Sequence, residues 1–128
     1  MIAIDTNVLV RILVDDPGQP AQVAAARRLA SEAGQVFVPL VVQVEVVWVL
    51  ESGYRLDKAA VTRVLEHLEV NHAFVLEDDA LCRDALAVYR SSTADYADCV
   101  ILAGCVTRDL TLHTFDRRLA RLSGTASL

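Results

Sequence analysis

Four acidic residues in this chain stand where an acid needs a reason: Asp5, Glu45, Asp98 and Asp116. Asp5 closes the apolar run Met1-Ile2-Ala3-Ile4, and Asp116 follows Leu110-Thr111-Leu112-His113-Thr114-Phe115. Two apolar runs far apart in sequence thus each deliver a carboxylate at their carboxyl end. In an open parallel α/β sheet the ligand crevice lies at that edge, where acids from separate strands can meet around one cation or a phosphate. Glu45 lies among Val44, Val46, Val47, Val49 and Leu50. An ionised glutamate on a buried helix face is costly unless it is paired or bound to metal; the alternative is a side chain that faces solvent or pairs with an arginine. Asp98 opens the apolar stretch Cys99-Val100-Ile101-Leu102-Ala103. Either a site or stabilisation of a first helical turn accounts for it.

Four hard oxygen donors without histidine or thiolate suit Mg²⁺ or Mn²⁺ rather than zinc. The chemistry expected of them is phosphoryl hydrolysis, in which one ion, or two about 4 Å apart, activates a water and stabilises charge on the phosphate and leaving oxygens. Thr6, Asn7 and Thr114 flank the strand-end acids and either orient carboxylates and water or serve as helix caps. Asp95, one helical turn before Asp98, reads as an N-cap, with extension of the site as the alternative.

These acids need elements to hold them. A strand over Ile2 to Ile4 leads into a helix that begins at Thr6 or Asn7, runs through Leu13 and stops at Asp15-Asp16-Pro17-Gly18. Pro20 opens a second helix through Ala33, with Gly34 at its C-cap, before the strand Val36 to Val38. Leu40 to Ser52 alternates like a strand and is rich in β-branched residues, but its length, the Pro39 before it and the Gly53 after it are helix punctuation, so a helix is predicted. Asp57 caps a helix through Val70, and His72 to Leu76 follows as a strand. Asp78 or Asp79 caps the next helix, and Ser91-Ser92-Thr93 separates it from another over Asp95 to about Arg108. A strand over Thr111 to His113, a short helix over Asp116 to Leu122 and a final strand near Thr125 to Ser127 complete the pattern. With no repeat or linker, this alternation predicts one parallel-sheet α/β domain over residues 1–128.

At 128 residues the chain is long enough for a substantial core. Its three cysteines, Cys82, Cys99 and Cys105, have neither disulfide-framework nor zinc spacing, which fits a reducing cytoplasm. No basic leader and no long uninterrupted apolar run is present, so neither export nor a membrane span is expected. The net charge of −5 argues against a general nucleic-acid binder, yet Arg117, Arg118 and Arg121 follow Asp116 directly. A local positive rim beside an acidic centre, suited to bidentate phosphate contacts, is compatible with both facts, as is a solvated helix face. A hydrophobic content of 54% hints at a buried dimer or partner surface.

Asp5-Thr6-Asn7, Glu45 followed by Trp48-Val49-Leu50, Tyr96-Ala97-Asp98 and Thr114-Phe115-Asp116 together closely resemble PIN-domain ribonucleases, especially the VapC-type toxins of bacterial toxin–antitoxin pairs. Order and spacing match along nearly the whole chain. The resemblance implies an α/β/α sandwich whose central, mainly parallel sheet has four or five strands flanked by helices. It implies a Mg²⁺ or Mn²⁺ site of Asp5, Glu45, Asp98 and Asp116, single-stranded or structured RNA as substrate, and hydrolysis at a phosphodiester bond, with Thr6, Asn7 and Thr114 as the flanking support read above. A cytoplasmic homodimer is implied too, inhibited by a cognate antitoxin protein whose C-terminal segment covers the acidic groove. The competing reading is a non-catalytic interaction module on the same fold, which intact acids disfavour. A phosphoacceptor receiver domain would need a late lysine, and the only lysine is Lys58. A haloacid-dehalogenase-like phosphatase would need an acid where Asn7 stands, and a serine hydrolase would need a G-x-S-x-G elbow that is missing.

Overall fold

The first apolar run pairs as β1 (Ile2–Ala3) and gives way at Asp5 to helix α1 (Thr6–Leu13). From there strands and helices alternate, and in a computed structural model describing residues 1–128 they fall into two units, Met1–Glu77 and Asp78–Leu128.

The first unit continues through α2 (Pro20–Ala33), β2 (Val36–Val38), α3 (Leu40–Ser52), α4 (Lys58–Val70) and β3 (Phe74–Leu76). Its three strands lie in the order β1-β2-β3, all parallel, with Ile2 opposite Val36 and Val36 opposite Phe74. Parallel pairing puts the carboxyl ends of all three strands, and so the starts of α1 and α3, at one edge. Pro20 opens α2 with a φ already suited to a helix, and Gly34 closes it at a φ of +75°, a conformation that L side chains rarely adopt. Phe74 rather than His72 starts β3, because Asn71 first closes a turn by accepting the Ala73 and Phe74 amides on its side chain and carbonyl.

Helix α3 is where β propensity and helix punctuation disagree, and the helix wins. It is apolar nearly all round, but Val42, Gln43, Val46, Val47 and Leu50 share its buried face, and it packs against α1 and α4. Tertiary packing therefore outweighs the small helix penalty of its valines. The amide of Leu40 at its start donates to the Glu77 carboxylate at 2.7 Å, so an acid from the end of β3 faces the positive end of the helix. Leu50 is fully buried. Leu50→Ala should lower the unfolding free energy by about 2–5 kcal/mol, read from the urea midpoint, because the cavity in a helix-packed core collapses only partly.

The second unit comprises α5 (Asp79–Ser91), α6 (Tyr96–Thr107), β4 (Leu112–Thr114), a 3₁₀ turn (Leu119–Arg121) and β5 (Thr125–Ser127). Helices α5 and α6 pack together, and Tyr89 meets Tyr96 edge to face with ring centres 5.6 Å apart. Strands β4 and β5 are parallel, with Leu112 opposite Thr125. Gly124 precedes β5 at a φ of +88°, and an added Cβ there would stand 3.0 Å from a Val106 methyl.

The parallel α/β class is as expected, but the single sheet of four or five strands is not what forms. Three strands make one sheet and two make another. β1 is only two residues long and pairs only with β2, while β4 and β5 satisfy each other's ladder. The helix expected over Asp116 to Leu122 shortens to the 3₁₀ turn: its bonds run from Arg121 to Arg118 and from Leu122 to Leu119, and the Thr125 hydroxyl donates to the Leu119 and Leu122 carbonyls where the chain leaves for β5.

Candidate active site

In the first unit Asp5 is the N-cap of α1. Its backbone is extended, and its Oδ1 accepts the Val8 amide at 3.0 Å while the exposed Oδ2 makes no hydrogen bond. Capping therefore falls to Asp5 and not to Thr6 or Asn7. Asn7 instead lines a cavity of about 480 Å³ with Val8, Arg11, Gln22 and Leu29.

Glu45 corrects the premise drawn from its apolar neighbours. It is exposed and makes no hydrogen bond or ion pair, on the face of α3 that also carries Val41 and Trp48. In a helix this apolar, sequence neighbours do not define the face; the i, i+3, i+4 set does, and Val42, Val46 and Leu50 turn Glu45 outward. Its carboxylate is thus open to a ligand from solvent.

The residue pattern gave Asp16 only a helix-stopping role, and it said nothing of Arg11 or Tyr54. Arg11 donates from Nη1 to Asp16 Oδ2 at 3.2 Å and to the Tyr54 hydroxyl at 2.6 Å, and from Nε to Gln22 Oε1 at 3.0 Å. Tyr54 in turn donates to Asp16 Oδ2 at 2.8 Å. The Tyr54 hydroxyl, then the Gly18 amide, hold the Asp16 carboxyl below its ordinary range, while burial raises the Tyr54 phenol. This triad ties the end of α1, the loop after it and the segment after α3, one wall of which borders the Asn7 cavity. Glu77 was also unremarked, although it follows a strand just as Asp5 and Asp116 do; its link to Leu40 places it with the structural acids.

In the second unit Asp98 sits in the first turn of α6, half-buried. Burial, then the charges of Asp95 and Asp116, push its carboxyl above the ordinary value of 3.8. Three acids therefore repel one another here. Asp95 occupies the N-cap position of α6 but its side chain caps nothing, against the expectation that capping is its task. Asp116 is exposed, and the Leu119 and Arg118 amides, 3.1 and 2.8 Å from its Oδ1, draw its carboxyl below the ordinary value. Thr114 Oγ1 accepts the Asp116 amide at 3.0 Å and so closes the turn that carries the acid.

Within the second unit the structure thus brings Asp98 and Asp116 within electrostatic reach of each other, and within the first it sets Asp5 at the start of α1 and Glu45 on α3, two helices that pack together. No group of three or more His, Cys, Asp or Glu side chains is gathered closely enough to hold a metal ion as the side chains stand. The two buried cysteines, Cys82 and Cys99, and the exposed His113 add no soft donor to the acids. A carboxylate-only set suits a hard divalent cation, whose charge would offset the repulsion at Asp98.

The chain is thus a parallel α/β protein with carboxylates at strand ends and in a first helical turn. The chain is a member of the PIN-domain family, whose profile matches residues 2–124. It is also similar to a VapC ribonuclease of Aquifex aeolicus (strain VF5), 28% identical over 104 residues, which cover 78% of this chain and 75% of the relative. No helix is long and apolar enough to cross a membrane.

Proposed function

We propose that the protein is a Mg²⁺- or Mn²⁺-dependent endoribonuclease that hydrolyses RNA phosphodiester bonds and acts as the toxin of a toxin–antitoxin pair. Membership of the PIN family and likeness to a VapC ribonuclease support the activity. The observation that carries the site is the half-buried Asp98 in the first turn of α6 with the charges of Asp95 and Asp116 acting on it, a burden that a bound cation would relieve. In this reading Asp5, Glu45, Asp98 and Asp116 hold the ion, which when bound supplies an activated water and stabilises charge on the phosphate and leaving oxygens. Thr114 aims Asp116, and the cap bond of Asp5 to Val8 leaves its other oxygen for the ion. The family match spans both units, which supports treating residues 1–128 as one functional domain. Exposed apolar side chains on both, among them Val41, Ile101 and Val106, support a homodimer and a cognate antitoxin as partners in the cytoplasm.

The test is cleavage of purified cellular RNA with Mg²⁺ or Mn²⁺, beside samples containing chelator or Asp5→Asn. Asparagine is as good an N-cap as aspartate, so this variant keeps α1 while removing the charge. Discrete fragments should form and should vanish in both controls. Absence of cleavage by the folded, antitoxin-free protein would favour a non-catalytic interaction module, and cutting that survives Asp5→Asn would remove Asp5 from the site.

A further inference from the structure

Helices α1 and α2 of the first unit enclose the cavity of about 480 Å³, within the roughly 300–1,000 Å³ of sites that take small molecules. Val8 and Leu29 give it aliphatic walls, and its polar lining is one guanidinium and side-chain amides, with no acid among them. The guanidinium is held in place. Arg11 is half-buried; its Nη1 donates to Asp16 Oδ2 and to the Tyr54 hydroxyl, and its Nε donates to Gln22 Oε1 at 3.0 Å. Nη2 makes no hydrogen bond, so both of its donors remain. A guanidinium can only donate, so the bond from Nε fixes which end of the Gln22 amide turns to it: the oxygen. Gln22 Nε2 is left as a second unengaged donor, on a group joined to the first by that one bond. The cavity thus offers two donors already set by the fold. Asp16 balances the Arg11 charge, so a further anion would leave excess negative charge at a half-buried site, whereas a neutral pair of acceptors would not. Guanine is a flat neutral body with such a pair. Its O6 and N7 share one edge and arginine is their commonest partner, while adenine places a donor beside N7.

We infer that this cavity recognises a guanine base, whose O6 and N7 accept from Arg11 Nη2 and Gln22 Nε2 while Val8 and Leu29 cover its faces. Asn7, which also lines the cavity, is two residues beyond Asp5 on α1. On the ribonuclease reading, on which this step rests, the base belongs to the RNA being cut, and Arg11 and Gln22 are specificity residues. A free guanine nucleotide presents the same edge, and the experiment separates the two sources.

Nucleosides, which carry no phosphate, are titrated in chelator into isotope-labelled protein, and NMR follows the Gln22 side-chain amide and the backbone amides of α1 and α2. Guanosine and inosine share O6 and N7 and should shift these signals with similar affinity. 7-Deazaguanosine, which lacks N7, and adenosine should bind at least about tenfold more weakly. Gln22 is exposed on α2, so replacing it should leave the fold intact. Gln22→Glu keeps an oxygen for Arg11 Nε and turns the second donor into an acceptor, the order that adenine matches with N7 and its amino group. Preference should therefore pass from guanosine to adenosine. With Mg²⁺, fragments of cellular RNA should carry guanine at one fixed position relative to the cut, and adenine there in Gln22→Glu. Cytidine, whose O2 and N3 also pair two acceptors, binding as tightly as guanosine overturns the inference. So does inorganic phosphate moving the same signals more strongly, or no shift with any nucleoside. RNA cutting without guanosine binding overturns it and leaves the ribonuclease reading standing. Guanosine binding without a fixed guanine at the cut overturns the assignment to substrate and gives the site to a free nucleotide; with no cutting at all, it is the ribonuclease reading that falls.

Discussion

Asp98→Asn should lower RNA cleavage by at least about a hundredfold, the range for losing one electrostatic contact at the reacting atoms, and yet leave the metal-free protein as stable as its parent or more so. The two results have one cause. Burial and the charges of Asp95 and Asp116 make the ionised form of Asp98 unfavourable in the folded chain. Its folded pKa lies above the unfolded value, so the native state binds the proton more tightly. Stability from this group is fully present below the ordinary value of 3.8 and is lost as pH rises through the raised value. At neutral pH the parent carries that penalty, and asparagine does not. Thermal midpoints in chelator from pH 3 to 8 should therefore fall on the alkaline side for the parent and stay flatter for the variant. Mn²⁺ should raise the parent's midpoint and have little effect on the variant's, because an ion bound only to the folded state stabilises it in proportion to its occupancy. A marked loss of stability in metal-free Asp98→Asn would instead make Asp98 a structural element of the first turn of α6.

What the residue pattern could and could not reveal follows from the range of each interaction. Helix ends are set locally, and Pro20, Gly34, Asp57 and Asn71 act where adjacent residues place them. The helical state of α3 was legible from length and punctuation, because its β-branched alternation has no bearing on which neighbours it meets. Its buried face was not. With apolar residues all round, only contacts with α1 and α4 choose between the Val46 side and the Glu45 side. Strand partners are equally non-local: nothing in Leu112–Thr114 says that Thr125–Ser127 pairs with it in a sheet of its own. The acids at strand ends were found because position alone makes them conspicuous. Asp95 was misassigned because an N-cap position does not require a cap bond, and its carboxylate makes none. The triad of Arg11, Asp16 and Tyr54 joins three segments up to 43 residues apart and leaves no periodic trace.

Asp116 separates charge from geometry, and two substitutions should split the two roles. Its Oδ1 receives the Arg118 and Leu119 amides and thereby shapes the turn that leads to Leu119, which is buried. Asparagine retains a side-chain carbonyl oxygen for those amides, while alanine offers none. Both Asp116→Asn and Asp116→Ala should reduce cleavage at least about a hundredfold, since both remove a charge proposed to hold the ion. Only Asp116→Ala should lower the thermal midpoint. The acid limb gives an independent reading. The same two amides hold the Asp116 carboxyl below its ordinary value, so its contribution is present above 3.8 and is lost as pH falls through the depressed value. That limb should disappear in Asp116→Asn, whose stability no longer depends on a proton at this position. If Asp116→Asn cut RNA at the parent's rate, the carboxylate would serve the turn alone and the ion would be held by the other acids. If Asp116→Ala matched the parent's midpoint, the two amide bonds would contribute nothing to folding. The residue's low proton affinity would then have to rest on the Arg118 charge, which is the weakest of the causes acting on it.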